Sequence, residues 1–311
     1  MAIFRAMTSF TLGRAAGVAF VTSLSCIPAR THAQSRASAL RDSLQARIAQ
    51  VPGAVVGLVF HDLASGALVK INADTLFHAA STMKVPVMIE YFRARDAGRV
   101  APGQTVLLLN RFASIVDGSP YSLDAGEDSD SALYGMIGTR IPVSQLVDRM
   151  ITRSSNLATN AVIALLGATA TTETARHLGA STIRVLRGVE DGLAYQHGLN
   201  NVTSAADMAA LLEAIETHRA ASPASCNAMI QTLERQEFND EIPAGLPKGT
   251  RVAHKTGWIA GVLHDAALVY PRGRAPYVLV VLTRGIPDDK LARALIADLS
   301  RIVWQALPGL R

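Results

Sequence analysis

The chain has 311 residues, of which 49% are hydrophobic and 18% charged, and its formal net charge is +5. That balance excludes an intrinsically disordered chain and leaves room for one large domain or two interleaved ones. The positive charge is concentrated at the start: residues 1–33 carry Arg5, Arg14 and Arg30 and no acid, so without them the charge falls to +2. No Lys/Arg-rich patch interleaved with aromatics remains, and nucleic acid is not an expected partner.

In chain order, Arg5 and Arg14 precede an uncharged run from Ala15 to Pro28, and Thr31-His32-Ala33 follows just before Gln34. This is the pattern of a secretory signal peptide cut after Ala33, which directs the mature chain to the periplasm or the exterior. The run is too short for a stable spanning helix, so no stable membrane insertion is expected. A lipid anchor on Cys26 is the competing expectation, disfavoured by Ser23 three residues before it. Cys26 leaves with the leader and strands Cys226, so no intramolecular disulfide is expected. Cys226 reads as a small buried residue.

Leu40, Leu44, Ile48 and Val51 recur at helical spacing over residues 35–50, and Pro52-Gly53 ends that helix. Two β-rich runs, 54–62 and 67–71, flank Ser65-Gly66 and predict an antiparallel hairpin. From 79 to 222 the pattern is mainly helical, with helices over 141–151, 157–166, 171–178 and 205–218. Within the Gly-, Pro- and Asp-rich stretch 97–142, the acidic tract 124–131 reads as a solvated loop and lacks the full spacing of a calcium loop. Strand signals return at 251–256, 266–270 and 277–283, and a helix over 289–307 closes the chain. The compact solution is an α/β unit (34–78 with 223–311) whose antiparallel sheet is flanked by the N- and C-terminal helices. An all-α lobe (79–222) is inserted in it. Ligand sites favour such junctions.

Three short motifs carry chemistry. Ser81-Thr82-Met83-Lys84 opens a predicted helix, where a serine oxygen can cap an orphan N–H and an amine at i+3 lies on the same face. A lysine amine whose pKa is lowered by burial can take the proton of a neighbouring hydroxyl, which is otherwise a poor nucleophile at neutral pH. Of the five lysines only Lys84 has a serine three residues before it. Ser154-Ser155-Asn156 stands at a loop-to-helix junction, and Lys255-Thr256-Gly257 ends the first late strand. His61, His78, His197, His254 and His264 do not fall at zinc-ligand spacings, so no metal or other cofactor is expected. His264-Asp265 reads as a structural pair.

Ser-x-x-Lys, Ser-x-Asn and Lys-Thr-Gly, in this order in a chain with an export leader, resemble the active-site serine superfamily of penicillin-binding proteins and class A β-lactamases, the latter branch in particular. The resemblance implies the two-lobed fold already derived and a site in the cleft between the lobes. It implies Ser81 as the acylated nucleophile, Lys84 as its base and Ser154 as the hydroxyl that relays a proton to the leaving nitrogen. Asn156 would hold the substrate's side-chain carbonyl, and Lys255 and Thr256 its carboxylate. Gly257 leaves room for close backbone approach, and the N–H groups of Ser81 and Trp258 would form an oxyanion hole. Release of the acyl group needs a second base. Glu190 is the candidate and Asp191 its competitor. The chain departs from the family pattern in three places. Leu199-Asn200 follows Glu190 by ten residues, where the family has Leu-Asn close by; Ser155 replaces a frequent Asp; and Trp258 is bulkier than usual. The expected activity is opening of a β-lactam through an acyl-serine by a monomer. The alternatives are a D-Ala-D-Ala peptidase or esterase of the same chemistry, or a non-catalytic domain that binds lactam or cell-wall fragments. Arg251 and Arg284 are the candidate arginines for a substrate carboxylate.

Overall fold

The computed structural model describes residues 1–2 and 29–307, with side chains from residue 36 onward. The apolar run from Ala15 to Pro28 and Cys26 lie outside the described residues, and the expected cleavage point after Ala33 falls within the first helix. That helix, α1 (Ala29–Ala49), leads into the hairpin β1 (Val55–Asp62) and β2 (Leu68–Ile71) and a short β3 (Phe77–His78). A 3-10 turn, Ala80–Met83, then runs straight into α2 (Lys84–Asp96). The long excursion that follows holds short strands β4 (Thr105–Leu107), β5 (Phe112–Ala113), β6 (Pro120–Tyr121), β7 (Arg140–Pro142) and β8 (Val202–Thr203). Its helices are α3 (Val143–Thr152), α4 (Asn156–Leu166), α5 (Ala168–His177), α6 (Gly192–Gln196), α7 (Ala205–Glu216) and α8 (Pro223–Glu234). The chain returns through β9 (Arg251–Ile259), β10 (Val262–Tyr270), β11 (Tyr277–Arg284) and α9 (Asp289–Ala306).

The five long strands form one antiparallel sheet in the order β2-β1-β11-β10-β9, so residues from both ends of the chain sit side by side. Strands of an antiparallel sheet usually alternate apolar and polar residues, yet β10 and β11 are buried almost throughout. The reason is that both faces are covered. Leu58, Phe60, Leu279 and Val281 join Leu40 and Leu44 of α1 and Leu295, Leu299 and Val303 of α9 in one core. Val59, Val278, Val280 and Leu282, one residue out of phase, join the helical lobe in the other. Each fully buried Leu, Val or Ile contributes roughly 1.5–3 kcal/mol, so the alternation of a two-residue period locks the register.

The sequence expectation omits α8, although Cys226, Met229, Ile230 and Leu233 recur at helical spacing and all face the core. Its start is marked by Ser222, whose hydroxyl caps the helix, followed by a proline at its first position. Among the described residues no helix is long and apolar enough to cross a membrane.

The packing of α9 makes one sharp demand. A Cβ on Gly245 would lie 2.1 Å from the carbonyl oxygen of Ala297 and 2.8 Å from Cβ of Ser300. The backbone of a helix cannot yield cheaply, so Gly245→Ala is expected to destabilise the protein by about 2 kcal/mol or more. A urea melt with an unchanged midpoint would refute this.

Candidate active site

Ser81 does not cap a helix, contrary to the sequence expectation. It lies inside the 3-10 turn, where neither that turn nor α2 has a side-chain cap, and its hydroxyl makes no hydrogen bond among the described residues. The physical reason is that the 3-10 turn runs directly into α2, so no break exists at which a cap could form. The hydroxyl is thus left uncommitted. β9, an edge strand, presses against this turn: a Cβ on Gly257 would stand 3.0 Å from the Ser81 nitrogen and 3.1 Å from that of Thr82. Glycine at 257 is what allows the strand so close.

Lys84 and Lys255 are both 0% exposed, and both reach the same serine. Lys84 Nζ donates to the Ser154 carbonyl at 2.6 Å, to Ser154 Oγ at 3.2 Å and to Asn156 Oδ1 at 2.8 Å. Its amine therefore reaches across to the 154–156 loop instead of bonding back to Ser81. From the opposite side, Lys255 Nζ donates to Ser154 Oγ at 3.0 Å and to the Thr256 carbonyl at 3.0 Å. Burial pulls the Lys84 amine down to about 7, against the pull of Asp128 and Glu190 towards the charged form. Burial, then the positive charge of Lys84, holds Lys255 well below an ordinary lysine. Two amines a hydroxyl apart cannot both keep full charge cheaply, so each disfavours the other's proton.

Asn156 links this pair to the candidate second base. Its Nδ2 donates to Glu190 Oε1 at 2.6 Å while its Oδ1 accepts from Lys84. Burial raises the Glu190 carboxyl above the usual range, partly opposed by the Asn156 bond. Asp191 is turned elsewhere. Its carboxylate caps α6 through Ala194 N at 3.0 Å and holds Ile115 N at 3.0 Å and Ser114 Oγ at 2.9 Å. Burial pushes its pKa up, but those bonds outweigh it and hold the group below the usual range. Two asparagines fix the root of this loop. Asn160 Oδ1 accepts from Val189 N at 2.6 Å, and the Asn201 amide bonds Leu186 N, Arg187 N and the Arg187 carbonyl. Three of the five non-glycine residues with positive φ among those described are Ala80 (45°), Ser154 (56°) and Glu190 (60°). Such conformations cost of order 1–3 kcal/mol each and gather where the surroundings impose a geometry.

The acidic tract is solvated only in part: Asp124, Gly126, Glu127, Ser129 and Ser131 are exposed, as expected of a solvated loop, but two of its acids turn inward. Asp128 and Asp130 are buried, and Asp128 Oδ2 accepts from the backbone N–H groups of Asn156 and Leu157, each at 2.9 Å. With Ser155, whose hydroxyl accepts from Ala158 N at 3.2 Å, it closes the positive end of α4. Asp130 pairs with Arg149 at 2.6 Å. Asp265 pairs with His254 at 3.0 Å and not with its neighbour His264, because adjacent strand residues point to opposite faces. His264 instead bonds the carbonyl of His78 at 2.9 Å. Arg251 is engaged by Glu234 and lies 3.8 Å over the Tyr270 ring, six residues from Gly257; Arg284 donates to the Leu76 carbonyl beside the Phe77 ring. Trp258 is 54% exposed, and its indole N–H donates to Asp289 Oδ2 at 2.7 Å.

The β-lactamase enzyme family model matches residues 39–307. The chain belongs to the class A β-lactamase family. Among curated relatives, β-lactamase AST-1 of Nocardia asteroides is 30% identical over 87% of this chain and 84% of its own length. A β-lactamase of Streptomyces albus G is 26% identical over 96% of both. Among solved structures, PBP-A is 30% identical with a TM-score of 0.72, covering 86% of this chain and 96% of that one. A mutant of PBP-A was solved as an acyl-enzyme complex with penicillin G, at 30% identity and a TM-score of 0.70 over 86% and 96% of the two chains. An ancestral class A β-lactamase matches at 27% identity and a TM-score of 0.73, over 86% of this chain and all of its own. Set beside the class A pattern, Asn200 accepts from Arg187 at 3.3 Å. The residues that sequence reasoning missed (Asp128, Asn160 and Asn201) are ordinary loop or helix polar residues, marked only by their burial.

Proposed function

We propose that the chain is an exported serine hydrolase that opens β-lactam rings through an acyl-serine intermediate. One observation carries the reading: buried Lys84 and Lys255 converge on the Ser154 hydroxyl, and Asn156 ties that cluster to Glu190. Neutral Lys84 takes the proton of Ser81 Oγ as that oxygen bonds the lactam carbon. The N–H groups of Ser81 and Trp258 stabilise the negative charge on the lactam oxygen, a contribution commonly ~2.7–4 kcal/mol per donor. The C–N bond then breaks as Ser154 passes its proton to the leaving nitrogen and is reprotonated from a lysine amine. Lys255 and Thr256 hold the substrate carboxylate, and Asn156 the side-chain carbonyl. In the second half-reaction Glu190 removes a proton from water, the water oxygen attacks the ester carbon, and Ser81 Oγ leaves with the returned proton.

Hydrolysis of a chromogenic cephalosporin by the wild-type protein, lost in Ser81→Ala, is the expected result. Wild type and Ser81→Ala behaving alike would refute it. A second reading keeps the acylation and changes the substrate to a D-Ala-D-Ala peptide or an ester. The likeness to PBP-A, equal in identity to that of β-lactamase AST-1, favours it. A penicilloyl adduct on wild-type Ser81 that persists without turnover would select that reading.

A further inference from the structure

Ala80 immediately precedes the proposed nucleophile and sits in the left-handed region at φ 45° with no glycine to make that easy. Its Cβ is hemmed in by β9, since a Cβ on Gly257 would come within 3.2 Å of it. What holds the kink open is a short set of hydrogen bonds. The Ala79 N–H donates to the Asn201 carbonyl at 2.8 Å, and both N–H and hydroxyl of Thr82 return to the Ala79 carbonyl, at 3.1 and 2.5 Å. The Ala80 N–H itself donates to Nδ1 of His78, at 3.0 Å.

That bond needs a lone pair on Nδ1. A neutral imidazole with its proton on Nε2 supplies one, whereas an imidazolium carries N–H on both nitrogens and can accept nothing. We propose that neutral His78 is a positioning residue for Ser81: its Nδ1 holds the Ala80 N–H, fixes the left-handed kink and so aims the hydroxyl and N–H of the next residue, and protonation of His78 releases the kink. The backbone of His78 is itself held, by pairing with Val202 of β8 and by His264 Nε2 donating to its carbonyl at 2.9 Å. The ring can therefore move the kink without moving its own strand.

The groups facing His78 favour the neutral form. Burial, and then the positive charge of Arg187 on the Glu190 loop, hold it below an ordinary histidine. His264 of β10 is pulled down to about 4 by burial, so it presents no charge at neutral pH. Tyr195 of α6 packs edge-on at 6.5 Å, and Val202 of β8 carries no charge. The kink is thus intact at neutral pH and is lost as pH falls through the lowered pKa of His78.

This inference rests on the functional reading for its kinetic arm alone. In a Glu190→Gln background, where adduct accumulates, the rate of Ser81 acylation by a penicillin is followed by intact mass spectrometry from pH 5 to 8. With His78 intact, the logarithm of the rate is expected to steepen towards the acid end of that range, because the protons of Lys84 and His78 both oppose it. Adding His78→Asn, whose Oδ1 can replace Nδ1 as acceptor, should keep the rate at pH 8 within about threefold and remove the extra steepness, and adding His78→Leu should lower it about tenfold at pH 8, a deficit that shrinks as pH falls and the parent loses the same bond. An unchanged slope in His78→Asn overturns the proposal, and so does a Leu variant as fast as its parent at pH 8. The second arm needs no catalysis and no variant: the Ala80 amide resonance of the wild-type protein should titrate with the midpoint of the His78 ring. An Ala80 amide indifferent to that titration overturns the proposal. Absence of any adduct overturns the functional reading instead and leaves the amide titration to decide the kink.

Discussion

Lys84→Met is expected to lower the acylation rate of Ser81 by about 10³-fold, within the range of 10²–10⁴ for removal of a positioned general base. The rate is read by mass spectrometry with a penicillin. Methionine has similar bulk and no charge, so the loss reports the amine. Lys84→Arg is the matched control, because a guanidinium keeps the positive charge but cannot give up its proton in the working range. It is expected to be as slow as methionine. Recovery of the rate in the arginine variant would show that charge, and not proton removal, is what position 84 supplies. In the wild type the acylation rate should fall as pH drops below about 7, where the amine becomes protonated. The lowered pKa also has a stability consequence with a definite sign. Between about 7 and an unfolded lysine's 10.5, the unfolded chain binds a proton at Lys84 that the folded chain does not, so stability rises with pH across that window. The rise is about 1.36 kcal/mol for each pH unit within it, and the cost of the buried charge is fully present only below about pH 7. Lys84→Met should flatten that rise in stability while losing acylation.

The two residues whose roles are easiest to predict are also those the sequence reveals most clearly. Ser81 and Lys84 are three residues apart, and local spacing alone places them on one turn. The sheet was legible for a similar reason: hydrophobic runs at both chain ends have only each other to pair with. What sequence spacing does not show is which distant groups neutralise a buried charge. Asp128 and Asp130 look like members of a solvated acidic run because their partners, the α4 N-terminus and Arg149, lie roughly twenty to thirty residues downstream. His254 finds Asp265 across the β9–β10 ladder, where neighbours are set by register. Lys84 passes over the adjacent serine because Ser154, at positive φ, presents both its carbonyl and its hydroxyl to the amine. Direction of side chains, more than their identity, separates what was read from what was missed.

That same distinction separates Glu190 from Asp191, two adjacent acids that composition treats alike. The positive φ at Glu190 accompanies a carboxylate bonded to Asn156, whereas Asp191 is consumed by three hydrogen bonds to its own loop and the 114–115 segment. Glu190→Gln is therefore expected to acylate and then stall, with deacylation slowed by about 10³-fold. The amide oxygen of glutamine can still accept from Asn156 Nδ2, so the loop keeps its anchor while the base is lost. Time-resolved mass spectrometry with a penicillin should show a persistent adduct on Ser81 in this variant and a transient one in the wild type. Wild-type deacylation should decline towards low pH as the raised carboxyl takes up its proton, and the glutamine variant should lack that limb. Asp191→Asn supplies the contrast. It weakens bonds that tie α6 to the 114–115 segment, so it should lower the melting temperature, yet any folded fraction should deacylate at close to the wild-type rate. The opposite pattern, a long-lived adduct in Asp191→Asn and normal turnover in Glu190→Gln, would move the water-activating base to the neighbouring residue.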